Sequence, residues 1–134
     1  MTSFSDHFEI SRLKQRRDFL ACASGGRKCA TPGMVVQVRE RPSQQPSDSL
    51  IRVGFTTSKK VGNAVVRNRA RRRLRALADQ IIPGNTKPGV DIVLIGRAST
   101  AKRSFHALER DLMKCLRKLD ALKASTTESK GHAG

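Results

Sequence analysis

Apolar positions recur along this chain with two different periods, and the changes between them place the elements. Met34, Val36 and Val38 alternate with Val35, Gln37 and Arg39, the two-residue repeat of a strand. Ile51, Val53, Phe55 and Thr57 share one face of a second alternating run at 50–58. Residues 90–96 are almost continuously apolar, as in a strand covered on both faces. Residues 28–31 can form a short strand before the Pro32-Gly33 turn. The other segments carry a helical period. Leu13, Arg16, Arg17 and Leu20 predict a helix over 12–23, stopped by Gly25-Gly26. Asn63 is a good N-cap for a long helix from 64 to about 82, ended by Pro83-Gly84. At ~100° per residue its Val66, Ala70, Leu74, Leu77 and Ile81 fall within one arc of about 80°. Ser104 can cap a last helix with a stripe of Phe105, Leu108, Leu112, Cys115 or Leu116, Leu119 and Leu122. The elements make one domain over 10–122, with a frayed N-terminus at 1–9, a polar Ser/Gln/Pro loop at 42–49 and a disordered tail at 123–134.

Charge narrows the function. Among 134 residues, Lys and Arg number 27 against 11 Asp and Glu, a formal net charge of +16. Self-repulsion of that size opposes compactness unless a polyanion neutralises it. No apolar run approaches the ~20 residues of a membrane span, and the N-terminus, with Asp6 and Glu9, is not a secretory signal. A soluble, cytoplasmic nucleic-acid binder is the expectation. Cys22, Cys29 and Cys115 are widely spaced and form no CxxC pair, which suits reduced structural thiols rather than a zinc site. The acids are scattered, with no carboxylate pair suited to holding two metals, so a stand-alone metal nuclease is disfavoured. His7, His106 and His132 read as surface residues.

The stretch 59–75 holds eight basic residues and no acidic one: Lys59, Lys60, Arg67, Arg69, Arg71, Arg72, Arg73 and Arg75. Arg67, Arg71 and Arg75 run beside the buried stripe at i, i+4 and i+8. Asn68 and Arg72 lie opposite it, and Arg69 and Arg73 flank its other side. An ordinary solvated face mixes signs, because like charges at i, i+4 repel by a few tenths of a kcal/mol. Here no acid offsets them before Asp79. Phosphates would supply the missing counter-charge, and guanidinium groups grip phosphate bidentately. The helix N-terminus behind Lys59-Lys60 and Gly62-Asn63 adds outward N–H groups for an anion. The glycine spacing of a nucleotide P-loop is absent. A DNA-reading module would want a partner for the recognition helix, and none is evident.

The run from Ser58-Lys59-Lys60-Val61-Gly62-Asn63 through Arg67-Asn68-Arg69 to Arg71-Arg72-Arg73-Leu74-Arg75 resembles the signature of the bacterial ribonuclease P protein family. Leu13 to Phe19 resembles that family's first helix, Arg52-Val53-Gly54-Phe55 its third strand, and Asp91 to Ile95 with Arg97 its fourth, so the likeness covers roughly 10–120. The resemblance implies an α+β two-layer sandwich in the order α-β-β-β-α-β-α. It also implies a four-stranded mixed sheet and a left-handed β-α-β crossover, like domain 2 of ribosomal protein S5. It implies the task of a ribonuclease P protein subunit: binding the catalytic RNA and the 5′ leader of precursor tRNA, while the RNA hydrolyses the phosphodiester with Mg²⁺. No catalytic residue or metal site is then expected on the protein. RNA-binding would fall to Lys59, Lys60, Asn63, Arg67, Asn68, Arg69, Arg71, Arg72, Arg73 and Arg75. The leader would lie in a cleft at Phe19, Arg16, Arg17 and Gln37. Ala23 and Gln37 stand where some relatives carry aromatic rings, so stacking there is reduced. The alternative for Phe19 is a plain core residue, and Phe55 and Phe105 are assigned to the core. A general structural RNA-binding protein shares the charge but does not require the 59–75 motif.

Overall fold

The computed structural model describes residues 10–41 and 50–123. The expected N-terminal tail, the polar loop and positions 124–134 lie outside these residues.

The alternating run at 34 becomes strand β3 (Met34–Glu40), with Met34, Val36 and Val38 fully buried. It pairs antiparallel with β2 (Arg27–Thr31) across the Pro32-Gly33 turn. Strands β4 (Ile51–Thr57) and β5 (Val90–Gly96) complete the expected set. β1 (Ile10–Arg12) adds a fifth strand, parallel to β4, with Ile10 opposite Ile51. Three residues are too few for alternation to show in a sequence. The sheet order is β1-β4-β5-β3-β2. β5 therefore lies in the middle, parallel to β4 and antiparallel to β3, which explains its unbroken apolar run.

β1 takes up Arg12, so the first helix, α1 (Arg16–Gly25), begins four residues later than its periodicity indicates. Helix α2 (Ala64–Asn85) starts as expected: the Asn63 side chain accepts from the Val66 N–H at 3.0 Å. It does not end at Pro83. Ile81 and Ile82 anchor the last turn in the core, and the Thr86 N–H donates to the Ile82 carbonyl at 3.1 Å. The only backbone donor lost is that of Pro83 itself. Helix α3 (Phe105–Lys118) is capped by Ser104, and both Cys115 and Leu116 are buried on its inner face with Leu108 and Leu112.

Helices α2 and α3 cover one face of the sheet, α2 against β4 and β5 and α3 against β2 and β3, and enclose the main core. Helix α1 lies on the reverse face, where Leu13, Cys22 and Val93 form a smaller cluster flanked by Phe19 and Ile95. The connection β4–α2–β5 joins neighbouring parallel strands.

A fully buried charge sits at the centre of the sheet. Asp91 on β5 is fully buried. Arg52 of β4 donates to both its oxygens at 2.8 Å, and Arg41 donates to Oδ1 at 2.8 Å. Arg39 of β3 approaches at 3.6 Å. Arg41 also donates to the Val90 and Leu50 carbonyls, closing the two ends of the segment between β3 and β4. Arg52 reaches Asp18 of α1 at 3.5 Å.

Asp91→Ala would leave these guanidinium groups without their shared counter-charge. The expected loss of folding stability is roughly 3–5 kcal/mol, measured by denaturant unfolding; a loss below about 1 kcal/mol would show that the cluster is not an anchor.

The thiols are free and buried. Burial pushes Cys22 from an ordinary 9.0 up to about 11, and burial with the neighbouring Cys29 pushes Cys115 up to about 12. A raised thiol pKa favours the neutral folded form. That contribution to stability is fully present below pH 9.0 and is lost as the pH rises through about 11 and about 12. Folded protein at about pH 8 should therefore resist a thiol-reactive probe that labels the unfolded chain readily. Rapid labelling of Cys22 or Cys115 in native conditions would contradict this burial.

Candidate nucleic-acid interface

Two surfaces carry the residues singled out from the sequence. The first is α2 with the single 3-10 turn before it, Lys59–Val61. Gly62 joins the two at φ 152°, a left-handed conformation that favours glycine. Lys59, Lys60, Asn63, Asn68, Arg69, Arg72 and Arg75 are exposed, while Arg67, Arg71 and Arg73 are half-buried. Among the described residues none of these cations pairs with a carboxylate.

The half-buried arginines are braced by neutral acceptors instead. Arg67 donates to the Gly62 carbonyl at 2.8 Å and Arg71 to the Thr57 hydroxyl at 3.0 Å, with a second bond from Arg71 to the Asn68 side chain. A guanidinium has five N–H donors, so each keeps most of them for an outside ligand, now held in a fixed direction. Arg73 faces the other way, donating to the Thr100 carbonyl at 2.7 Å and tying α2 to the loop before α3.

The second surface is an open groove of about 490 Å³ between α1 and the reverse face of the sheet. Phe19, Leu20 and Ala23 of α1 form one wall, and Gln37, Thr56, Val93 and Ile95 form the floor. Lys14 and Arg16 stand at its edge. Phe19, Arg16, Gln37 and Ala23 thus meet in one place, whereas Arg17, expected with them, is exposed but does not line the groove. Gly54 sets the position of the ring: a Cβ there would lie 2.5 Å from Phe19 Cε1. No side chain larger than hydrogen fits beneath Phe19 without moving it.

Sequence reasoning misses the floor residues Thr56, Val93 and Ile95, and it misplaces two others. Leu20 belongs to the apolar repeat of α1, which implies burial, yet it is 52% exposed in the groove wall. Phe55 packs against the main core as expected, but it is only half-buried and also lines the groove. The guanidinium carbons of Arg12 and Arg75 lie 5.5 and 5.9 Å from its ring centroid. Among the described residues β1 pairs only with Ile51 to Val53, so no described strand covers the β4 edge at Phe55, and the groove meets the α2 face there. The placement of Phe55 four residues before Lys59 is the available signal. Phe105 is half-buried against the core, as expected.

No group of three or more His, Cys, Asp or Glu among the described residues is disposed to hold a metal. Asp18, Asp91 and Asp111 are each engaged by an arginine.

Known proteins match this arrangement. The profile of the Ribonuclease P family matches residues 9–120. The ribonuclease P protein component of Paramagnetospirillum magneticum is 45% identical over 113 residues, 84% of this chain and 85% of its own. That of Ruegeria pomeroyi is 53% identical over 115 residues, 85% and 90% of the two chains. The RNase P protein from Thermotoga maritima superposes with a TM-score of 0.64 at 27% identity, covering 78% of this chain and 93% of that one. The Staphylococcus aureus RNase P protein shares the fold at a TM-score of 0.68 and 24% identity, covering 84% and 97%.

The bracing on α2 separates binding from stability. Arg72→Ala should lower the slope of log binding constant against log salt for RNA by up to about one unit, with folding stability unchanged. Arg71→Ala should lower the slope similarly and also cost about 0.5–1.5 kcal/mol through removal of its bond to Thr57. Salt titrations and melting curves of both variants distinguish the two; unaltered slopes would make these arginines structural.

Proposed function

Because this chain belongs to the ribonuclease P protein family, we propose that its α2 face holds the RNase P RNA while its groove receives the 5′ leader of precursor tRNA. The chain is the RNA-binding protein component of this tRNA-processing endoribonuclease. The observation that supports a leader site is the continuity of the groove with α2. An apolar wall containing Phe19 passes, at Phe55, into the cationic surface of Arg12 and Arg75.

A single-stranded segment offers phosphates and base faces along its whole length. Lys14 and Arg16 can take the phosphates at the edge, and Phe19 and Leu20 can take a base or ribose in the wall. With Ala23 and Gln37 in place of further rings, contact is made mostly through charge and shape. That favours binding with little base preference. Arg17, outside the groove, is assigned to the general positive field.

Hydrolysis belongs to the RNA, which supplies the Mg²⁺ sites. The described residues hold no oxygen-rich cluster that fits Mg²⁺, because their buried carboxylates are already held by arginines. No metal step is therefore assigned to the protein; its residues bind and orient. No helix of the described chain is long and apolar enough to cross a membrane. The cytoplasm, where tRNA precursors are made, is the proposed place of work.

The test uses the complex reconstituted from this protein and RNase P RNA, titrated with leader-bearing and leaderless tRNA. Phe19→Ala should weaken leader-bearing tRNA by about 1 kcal/mol, the lower end of base–aromatic stacking, and leave leaderless tRNA unaffected. Phe19 also packs beside Leu13 and Val93, so a melting curve accompanies it. Leu20→Ala, at a half-exposed position, should produce the same selectivity with little loss of stability. The protein without RNA should leave precursor tRNA uncut. Equal weakening for both tRNAs in the Leu20 variant would remove the leader from this groove.

A further inference from the structure

We propose that the outer face of α3 is a second RNA surface, which takes the phosphate backbone of a segment of RNase P RNA separate from the one held by α2. The inference rests on the reading that this chain assembles with that RNA. Arg110, Lys114 and Arg117 are exposed on α3. At ~100° per residue they fall within an arc of about 60°, and at 1.5 Å per residue they extend over about 10 Å. They border an open hollow of about 730 Å³ with Pro32, Arg103, Asp111 and Met113.

The acids nearby do not neutralise them. Asp111 is bound by Arg103 through two bonds of 2.7 and 3.2 Å. Glu109 faces α2, where it accepts from Gln80 at 2.6 Å and lies 3.5 Å from His106. Among the described residues Arg110, Lys114 and Arg117 have no carboxylate partner. Like charges at i, i+3 and i, i+4 therefore repel without compensation, the same condition that marks α2. The inner face of α3 is fixed by the core, but nothing in the fold requires the outer face to carry one sign.

This surface is distinct from both sites already described. α3 covers β2 and β3, whereas α2 covers β4 and β5 and the groove lies on the reverse face. A basic path nevertheless joins the two helices. Arg73 of α2 holds the Thr100 carbonyl, and the loop from there carries exposed Lys102 and then Arg103 at the border of the hollow. An RNA leaving the flank of α2 would meet cations along this path. A protein partner is less suited: the exposed large apolar side chains among the described residues are Leu20 and Val65, neither on α3, and interfaces between proteins need an apolar centre.

The test compares the full chain with the triple variant Arg110→Gln, Lys114→Gln, Arg117→Gln, and with Arg72→Ala as the α2 reference. Binding to RNase P RNA is measured against salt, with a melting curve for each protein. The triple variant should reduce the slope by about two to three units, one for each phosphate no longer neutralised, with an unchanged melting temperature and undiminished preference for leader-bearing tRNA. An unaltered slope in the triple variant, with the slope reduced in Arg72→Ala, overturns the α3 assignment alone. Unaltered slopes in both overturn the RNA partner reading with it. An unaltered RNA slope with abolished binding of a polyglutamate peptide assigns the face to an acidic protein and also overturns the proposal.

Discussion

Asp91 brings a full carboxylate charge into the middle strand of the sheet, where an unpaired ion would cost several kcal/mol. Satisfying it requires Arg52 from β4, Arg39 from β3 and Arg41 just after β3, all reaching one side chain. A shift of either neighbouring strand by one residue would turn its arginine to the opposite face and leave the carboxylate bare. The ion cluster thus fixes the register of the three inner strands. It fixes the reverse face as well, because Arg52 also meets Asp18, and the Cys22 thiol lies 3.8 Å from the Asp91 carbonyl. These contacts set α1 on the sheet. The groove exists because α1 is held there and Gly54 admits the Phe19 ring.

The same allocation explains how so basic a chain folds. Several of its few acids are engaged by arginines: the buried Asp91 in the strand cluster, the buried Asp111 with Arg103, and the half-buried Asp18 with Arg52. Each satisfies cations that the fold itself needs in place. The arginines of α2 receive neutral acceptors instead: the Gly62 carbonyl, the Thr57 hydroxyl and the Thr100 carbonyl. Neutral acceptors orient a guanidinium without cancelling its charge. Positive charge is therefore held rigidly and left uncompensated on the surfaces where a polyanion would supply the balance.

The long elements are legible in the sequence because burial imposes a period over many residues. β3, β5 and α2 begin where alternation, apolar continuity and the Asn63 cap place them. The basic face of α2 is legible for a related reason: eight cations without an acid are improbable unless something external repays their repulsion. Short-range features carry less signal. β1 is three residues long, so its pairing with β4 rests on tertiary contact alone. Leu20 cannot be told from Leu13, since a helical repeat shows which residues share a face but not where the covering sheet ends. Asp91 looks like an interruption in an apolar strand, because its partners Arg39, Arg41 and Arg52 lie far from it in the chain.

Phe55 is where the groove and the α2 face adjoin. It points toward the α2 side of the sheet, in phase with Ile51 and Val53, yet it lies beyond the last residue that β1 covers. A ring at an uncovered strand edge is reachable from both faces. Arg12 from β1 and Arg75 from α2 both lie over it, so a single side chain contacts the core, the groove and the cationic helix. Cations above an aromatic face keep their charge while losing little hydration, and their long stems cover the apolar ring. Among the described residues, a polyanion passing from the groove to α2 would meet Arg12 and Arg75 at this edge. The short β1 strand leaves that passage by ending at Arg12: a longer strand would cover the β4 edge and separate the groove from the α2 face.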